Sequence, residues 1–164
     1  MAGVTTHRNG WTLRAAVEAD VDTLLRWFPE HEDARRWAGP SFRYPFTRET
    51  FFEDIRWGYM ASFSLCDTDG LLAGFGQVYD RDQRIHLARL VVDPARRGQG
   101  LGRRLIERLM EAGRELYPHD GFSLFVYRDN EAARRCYRSL GFEIADYPPD
   151  MPHADVCDFL TRST

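Results

Sequence analysis

One short segment constrains the fold of this chain more than any other, because it joins the end of a strand, a glycine-rich loop and the start of a helix. Three glycines alternate there, at Gly98, Gly100 and Gly102. The apolar run Leu90 to Val92 precedes them, and an apolar stripe with helical spacing begins at Leu101. Glycine lets the backbone approach a ligand closely, and the free N–H groups at a helix start attract anions. The segment therefore predicts a cradle for phosphate.

Four arginines flank these glycines, at positions 96, 97, 103 and 104. Guanidinium groups bind phosphate oxygens through paired hydrogen bonds, so the cluster suits a pyrophosphate and a further phosphate. The GxGxG spacing fits neither the GxGxxG of dinucleotide-binding loops nor an ATP-binding loop that ends in GK[ST]. Taken alone, the segment is equally compatible with a glycine-rich turn beside a solvated helix face.

A second motif lies downstream and decides between these interpretations. Residues 97–102, RGQGLG, follow the run LVVDP and closely resemble the [QR]-x-x-G-x-[GA] acetyl-CoA motif of the GNAT superfamily of N-acetyltransferases. Asn130, Ala133, Tyr137 and the pair Gly141-Phe142 resemble the second signature of that family, N-x-x-A-x-x-x-Y-x-x-x-G-F. Two motifs in the family's order are more specific than either alone, and the resemblance spans residues 87–142.

The resemblance implies an α/β (α+β) fold with a mixed central sheet of about six to seven strands, flanked by about four to five helices. We expect one domain over residues 1–164, with an acceptor-side part at 11–59, an acetyl-CoA-binding core at 60–142 and C-terminal strands at 143–164. The implied function is transfer of acetyl from acetyl-CoA to a primary amine of a small molecule or protein by direct attack. The alternative is a non-catalytic acyl-CoA-binding sensor or regulatory module.

Apolar periodicity and turn residues predict the individual elements independently of that resemblance. The predicted strands are Trp11–Ala16, Ala61–Cys66, Leu71–Tyr79, Arg84–Val92, Phe122–Tyr127, one that begins after Gly141-Phe142, and Val156–Leu160. The predicted helices are Val21–Phe28 with Asp20 as N-cap, Glu32–Trp37, a helix from the N-cap Thr47 to Trp57, Leu101–Tyr117 and Asn130–Leu140. A meander followed by alternating helices and strands allows parallel neighbours in the centre of the sheet.

The resemblance also assigns roles to single residues. Tyr137 is the expected general acid, which protonates the departing thiolate, although a core aromatic would fit the same position. His86 alternates with Ala88 and Leu90 on the strand that leads to the acetyl site, so it is a candidate general base; the alternative is a satisfied histidine within the sheet. The expected cofactor-binding residues are Leu90, Val91, Val92, Arg97, Gly98, Gln99, Gly100, Leu101, Gly102, Arg103, Asn130 and Ala133.

Backbone groups carry much of that expected binding. A backbone N–H near Val91 or Val92 is expected to stabilise the developing oxyanion. Asn130 is expected to hydrogen-bond the pantetheine and is at the same time a helix N-cap candidate. Ten of the 22 aromatic residues lie within positions 27–59, and with Glu30, Glu32, Asp33 or Glu49 they suggest a pocket for a cationic or aromatic amine.

Composition excludes several other classes. The formal net charge of -3 gives no reason to expect binding to nucleic acid or acidic membranes. Three widely spaced cysteines indicate neither a disulfide framework nor a zinc ribbon, and the five scattered histidines predict no metal site. Cys136 has no partner at a recognisable spacing, so a buried helix cysteine is favoured over a nucleophile. We expect a cytoplasmic protein with no membrane segment, and the family resemblance suggests a homodimer.

Overall fold

A single mixed sheet of eight strands forms the centre of the computed structural model, which describes residues 5–163 and, for residues 6–8, the backbone alone. The expected mixed sheet is confirmed, and the strand count exceeds the expected six to seven because a short N-terminal strand pairs with the first predicted one. The strands are β1 Thr6–Arg8, β2 Trp11–Ala15, β3 Ala61–Cys66, β4 Leu72–Arg81, β5 Arg84–Val92, β6 Phe122–Tyr127, β7 Glu143–Ala145 and β8 Cys157–Arg162.

The order of strands across the sheet is β1-β2-β3-β4-β5-β6-β8-β7. The first five strands pair in chain order as antiparallel neighbours. Short turns join them except between β2 and β3, where residues 16–60 contain the N-terminal helices. The pairing of β5 with β6 is parallel, because the helix between them returns the chain to the same end of the sheet. The predicted parallel neighbours are therefore β5 and β6, which pair at the start of β5.

Among the described residues, five α-helices cover the sheet, and about four to five were expected. They are α1 Glu18–Leu24, α2 His31–Ala38, α3 Arg48–Asp54, α4 Leu101–Leu116 and α5 Glu131–Ser139, with short 3-10 turns at Leu25–Trp27 and Pro94–Arg96. The apolar stripe of α4 is buried at Leu105 and Leu109 against the sheet, as its periodicity predicts. No helix in the described part of the chain is long and apolar enough to span a bilayer.

The start of α1 differs from the prediction. Val17 is the N-cap, whereas Asp20 lies in the first turn and its carboxylate accepts a hydrogen bond from the Val17 backbone N–H at 2.9 Å. The prediction of Asp20 as N-cap was wrong because this carboxylate reaches back to close the turn, in the position that a capping box gives to its acidic residue. The same carboxylate also binds Arg14 and Ser64, so it is 6% exposed.

Two apolar clusters stabilise the two faces of the sheet. One joins α4 and α5 to the strands, with Leu105, Leu109 and Phe122 among its buried members. The other contains the rings of the N-terminal helices, including Trp27, Phe28, Trp37, Phe42 and Phe51, and it packs against Phe75 of β4. Most aromatic residues of the segment 27–59 are thus core residues that anchor α2 and α3 to the sheet.

Candidate active site

A β-bulge interrupts the pairing of β4 with β5 shortly before the glycine-rich loop. The register shifts by one residue between Phe75 and Gln77, which makes Arg89 an extra residue on β5. Arg89 has a φ of 50°, in the left-handed region. A residue with a long side chain adopts this conformation only where surrounding contacts hold it there. Opposite the bulge, a Cβ on Gly76 would overlap Leu109 of α4. A glycine at this position therefore lets the helix pack directly on the bulged strands.

Hydrogen bonds from three elements hold the bulge. The Trp37 indole N–H of α2 donates to the Arg89 carbonyl at 2.8 Å. The Arg89 guanidinium donates to Gln77 Oε1 of β4 at 2.9 Å and to the Asp54 carbonyl at the end of α3 at 3.0 Å. These contacts offset the strain of the backbone and fix the direction in which β5 leaves the sheet.

The two parallel strands separate beyond this point. Within the described chain, β5 and β6 pair only at Ile85 with Phe122 and at His86 with Ser123. The rest of β5, from residue 87 onward, has no ladder partner on the β6 side, so a cleft opens between the strands. Separated parallel strands leave backbone groups free to bind a ligand that lies between them.

The amide of Val92 lies on the open edge of β5. The Asp93 N–H donates to the Ala73 carbonyl of β4 at 2.8 Å. Because successive amides of an extended strand point to opposite edges, the Val92 N–H faces the cleft, whereas that of Val91 faces β4. Of the two amides proposed from the sequence, Val92 is thus the one available to a ligand.

The glycine-rich loop forms the predicted turn into α4. Gly98 and Gly100 have φ values of 81° and 74°, and Gly100 is the N-cap of α4. The first hydrogen bond of the helix joins the Arg104 N–H to the Gly100 carbonyl, so the amides of residues 101–103 precede the helical ladder. A Cβ built at Gly98, Gly100 or Gly102 meets no described atom within 4 Å. The glycines thus leave open space over amides that carry the positive end of the helix dipole.

A cavity of about 550 Å³ extends from this loop along the cleft. Its lining includes every cofactor-binding residue predicted from the sequence except Gln99, which is exposed at the tip of the loop: Leu90, Val91, Val92, Arg97, Gly98, Gly100, Leu101, Gly102, Arg103, Asn130 and Ala133. Tyr137 and Cys136 of α5 also line it. We name it the cradle cavity.

A second cavity of about 350 Å³ lies at the other side of the cleft, and we name it the acceptor cavity. Leu90, Asn130, Ala133 and Tyr137 line both cavities, together with Arg36 and Trp37 of α2. The remaining walls of the acceptor cavity are mainly aromatic or apolar and include Met60, Tyr79, Phe125, Tyr127, Tyr147, Met151 and Pro152. The two cavities therefore meet where β5 and β6 separate.

Tyr137 and Asn130 are positioned by α5 at this junction. The Asn130 side chain accepts a hydrogen bond from the Ala133 N–H at 3.3 Å, so the residue is the N-cap of α5, as predicted. Tyr137 packs edge-on against Phe142, with ring centroids 6.2 Å apart. Burial raises the pKa of the Tyr137 hydroxyl, and the neighbouring Cys136 adds to the effect, so the phenol stays protonated across the neutral and mildly alkaline range.

His86 lines the acceptor cavity and is 2% exposed. Its Nδ1 lies 2.8 Å from Ser123 Oγ, and its ring contacts those of Tyr79 and Phe125. Burial, with the charges of Arg81 and Arg89, lowers the pKa of His86 to about 3. The imidazole is therefore neutral at pH 7, and it has both the sheet contacts of a structural histidine and a place in the cavity.

The matching family model covers residues 31–142, which include the bulge, the loop, the junction residues and both signature motifs. That model describes the acetyltransferase (GNAT) family. The chain belongs to this family. Among curated GNAT relatives, N-alpha-acetyltransferase 40 of Saccharomyces cerevisiae is 35% identical over 98 residues, which cover 56% of this chain and 34% of that protein. The spermine/spermidine N(1)-acetyltransferase of Bacillus subtilis is 31% identical over 83 residues, covering 46% of this chain and 55% of that one.

A solved GNAT structure extends the likeness of fold to nearly the whole chain. The spermidine N-acetyltransferase of Vibrio cholerae, in complex with CoA and spermine, superposes with a TM-score of 0.74. The two chains are 16% identical, and the match covers 95% of this chain and 96% of the other. The family resemblance and the mixed-sheet fold predicted from the sequence are thereby confirmed.

The acceptor cavity of this GNAT chain differs from the sequence-based hypothesis. Of the four acidic residues suggested for a cationic-amine pocket, none lines it; Asp33 lines the cradle cavity instead. Arg36, Arg89 and the C-terminal segment around Tyr147 all line the acceptor cavity, and none of them was predicted from the sequence. A charged residue inside the apolar strand β5 was the one available signal for Arg89. Among the described residues, no cluster of His, Cys, Asp and Glu could hold a metal ion.

Proposed function

We propose that this chain is an N-acetyltransferase that moves an acetyl group from acetyl-CoA to a primary amine by direct attack. One observation carries the proposal: a glycine-rich loop at the start of α4 and an aromatic cavity meet at a pair of separated strands, and Tyr137 lines both sides of the meeting point. The cradle side provides room for a long thioester carrier, and the acceptor side provides room for the amine.

The cradle residues fit the chemistry of coenzyme A. The free amides of residues 101–103, with Arg97 and Arg103, would hold the pyrophosphate, and the open space at Gly98 and Gly100 allows close backbone approach. The pantetheine would lie in the cleft beside Val92 and Asn130. When bound, acetyl-CoA supplies an activated carbonyl and a thiolate leaving group.

The residues at the junction of the two cavities have separate roles in the transfer. The Val92 N–H faces the cleft and would stabilise negative charge as it develops on the carbonyl oxygen. Tyr137 would donate its phenolic proton to the sulfur as the C–S bond breaks. Because the pKa of a phenol, about 10, lies above that of a thiol, about 8.5, this transfer is uphill, and the proton released by the amine restores the phenol. The amine forms the new C–N bond and releases one proton, which passes to water directly or through the neutral imidazole of His86. Because the pKa of His86 is lowered to about 3, this imidazole relays the proton and does not keep it.

The role of His86 as proton acceptor leads to a prediction. Replacing His86 by Gln should lower kcat by about tenfold to a hundredfold, because a positioned acceptor for the amine proton is lost. Steady-state rates at saturating acetyl-CoA measure the effect. Ser123→Ala, which removes only the hydrogen bond to Nδ1, should cost less. Unchanged turnover in the Gln variant would leave His86 as a structural residue of the sheet.

Gly100 offers a test of the cradle. Gly100→Val should weaken acetyl-CoA binding by about tenfold or more, because a branched side chain fills the open space above the amides and disfavours the φ of 74°. Isothermal titration calorimetry measures the affinity. Gly58→Val is the matched control, since Gly58 has a φ of 85° with the same open surroundings and lines neither cavity. Equal affinities in the two variants would contradict the cradle.

The decisive experiment is thiol release from acetyl-CoA with a panel of amines, read together with the mass increase of the acceptor. The names of the relatives point to polyamines and to protein α-amines, so the panel includes spermidine and short peptides. Acetylation of any amine above the rate with water supports the proposal. Binding of acetyl-CoA without transfer to any acceptor would favour the alternative, a non-catalytic sensor.

The proposed division of the chain follows the cavities with one change. Residues 60–142 contain the glycine-rich loop, β5, β6 and α5, and residues 11–59 provide α2, which lines both cavities through Arg36 and Trp37. The segment 143–164 has a larger part than expected, because Tyr147, Met151 and Pro152 line the acceptor cavity. Homodimer formation and cytoplasmic localisation stay predictions of the sequence analysis.

A further inference from the structure

The acceptor cavity has an unusual charge for an amine site. Among the described residues, no Asp or Glu lines it, whereas Arg36 and Arg89 both line it. A cationic amine with several charges, such as a polyamine, is normally held by carboxylates, because opposite charges offset the cost of desolvation. The cavity therefore offers such a ligand no charged partner.

The positive charge of Arg36 is already balanced. Its guanidinium lies 3.3 Å from Glu32 and 3.5 Å from Asp129, at the edge of the cavity where α2 meets the loop after β6. The side chain is 41% exposed, so water also screens it. Arg36 thus contributes little net field to the interior of the cavity.

Arg89 is different, because its charge has no carboxylate partner in the part of the chain that the structure describes. There its guanidinium hydrogen-bonds to three neutral groups: the Gln77 amide oxygen, the Asp54 backbone carbonyl and the Met60 sulfur. Its Nε is buried and has no hydrogen-bond partner among the described residues. The nearby Asp54 carboxylate is paired with Arg43 instead, at 2.8 Å. Burial lowers the pKa of Arg89, as expected for a cation removed from water without compensation.

We propose that the acceptor is a small primary amine that also carries a carboxylate or comparable anionic group, as in a free amino acid, and that Arg89 selects it. This inference rests on the proposed transferase function and names its substrate class. An anion in the acceptor cavity would supply the charge that Arg89 lacks, and the aromatic walls would contact the apolar part of the molecule. A protein N-terminus lacks such an anion, because its carboxyl is an amide.

Matched acceptors test the proposal on the wild-type protein. Each amino acid is compared with its primary amide and with its decarboxylated amine, and kcat/KM is normalised to the fraction of free amine at the assay pH. We expect the carboxylated member to be preferred by about tenfold or more, the effect of a hydrogen bond to a charged group. Equal or better use of the amides, the decarboxylated amines or spermidine would overturn the proposal.

Variants identify the residue responsible. Arg89→Met should bring the preference close to unity and Arg89→Lys should restore part of it, while Arg36→Met should leave it unchanged. The readout is a ratio of acceptors within one variant, so a general loss of rate from a disturbed bulge does not affect it; if the Met variant fails to bind acetyl-CoA, the wild-type ratios decide. A preference that survives Arg89→Met would overturn the assignment to Arg89. Absence of thiol release with every amine would instead refute the transferase function.

Discussion

Replacing Tyr137 by Phe should lower kcat by about 10²- to 10⁴-fold while the affinity for acetyl-CoA stays within about twofold. The change removes one hydroxyl from a buried ring and leaves the packing against Phe142 intact. If the phenol protonates the departing sulfur, its loss affects the transition state much more than the bound ground state. Thiol-release assays measure kcat, and calorimetric titration with acetyl-CoA measures the affinity.

The pH dependence gives this prediction a second readout. Since burial raises the pKa of Tyr137, the wild-type enzyme should keep its acid protonated and lose no rate up to about pH 10. The deficit of the Phe variant should stay constant over the same range, because the wild-type acid keeps its proton throughout and the variant has none to lose. Tyr117→Phe, at the end of α4 and outside both cavities, is the control. A deficit that disappears between pH 7 and pH 9, or one explained by lost affinity, would contradict the acid role.

The sequence was sufficient for the parts of the site that local patterns determine. Strand β5 runs from Arg84 to Val92 and β6 from Phe122 to Tyr127, as predicted, because apolar runs bounded by turns specify buried strands directly. The loop with Gly98 and Gly100 was predictable too, since glycine is the residue that most readily adopts the left-handed conformation found at both positions. The phosphate cradle is therefore a local property of the chain.

The acceptor cavity could not be predicted in the same way. Its lining joins Trp37, Met60, Arg89 and Tyr147, which are far apart in sequence and meet only through the order of the strands. The bulge at Arg89 has no local signal, because Leu-Ala-Arg-Leu fits a regular strand equally well. The pairing of β5 with β6 likewise ends after His86 although both strands continue as apolar runs. The lining of the acceptor cavity thus depends on long-range contacts that periodicity does not encode.

Replacing Asp20 by Ala should lower the free energy of unfolding by about 3 kcal/mol and the melting temperature by about 6–12 °C. The carboxylate accepts hydrogen bonds from Arg14 at 2.7 Å, from Ser64 at 2.8 Å and from the Val17 N–H at 2.9 Å. Ser64 is fully buried, so its hydroxyl loses its partner without gaining water. The network joins α1 to β2 and β3, on the side of the sheet that carries the N-terminal helices.

The effect should depend on pH in a defined direction. Burial alone would raise the pKa of Asp20, but the hydrogen bonds from Arg14, Val17 and Ser64 outweigh it, so the pKa lies below its usual value. A carboxylate with a lowered pKa stabilises the fold above its unfolded pKa of about 3.9 and loses that contribution as the pH falls through the folded value. The difference between wild type and variant should therefore stay constant from pH 7 to about pH 4 and narrow only below that.

Asp22→Ala on the same helix is the matched control for Asp20. Asp22 pairs with Arg48 at 2.9 Å, but both side chains are about half exposed, so the loss should stay within about 0.5 kcal/mol. Chemical denaturation at pH 7 and pH 3 compares the variants. If both substitutions cost the same, the Asp20 network would be worth no more than a surface ion pair. Because Asp20 lines neither cavity, its variant should keep acetyl-CoA affinity while folded, which separates stability from the chemistry of the cleft.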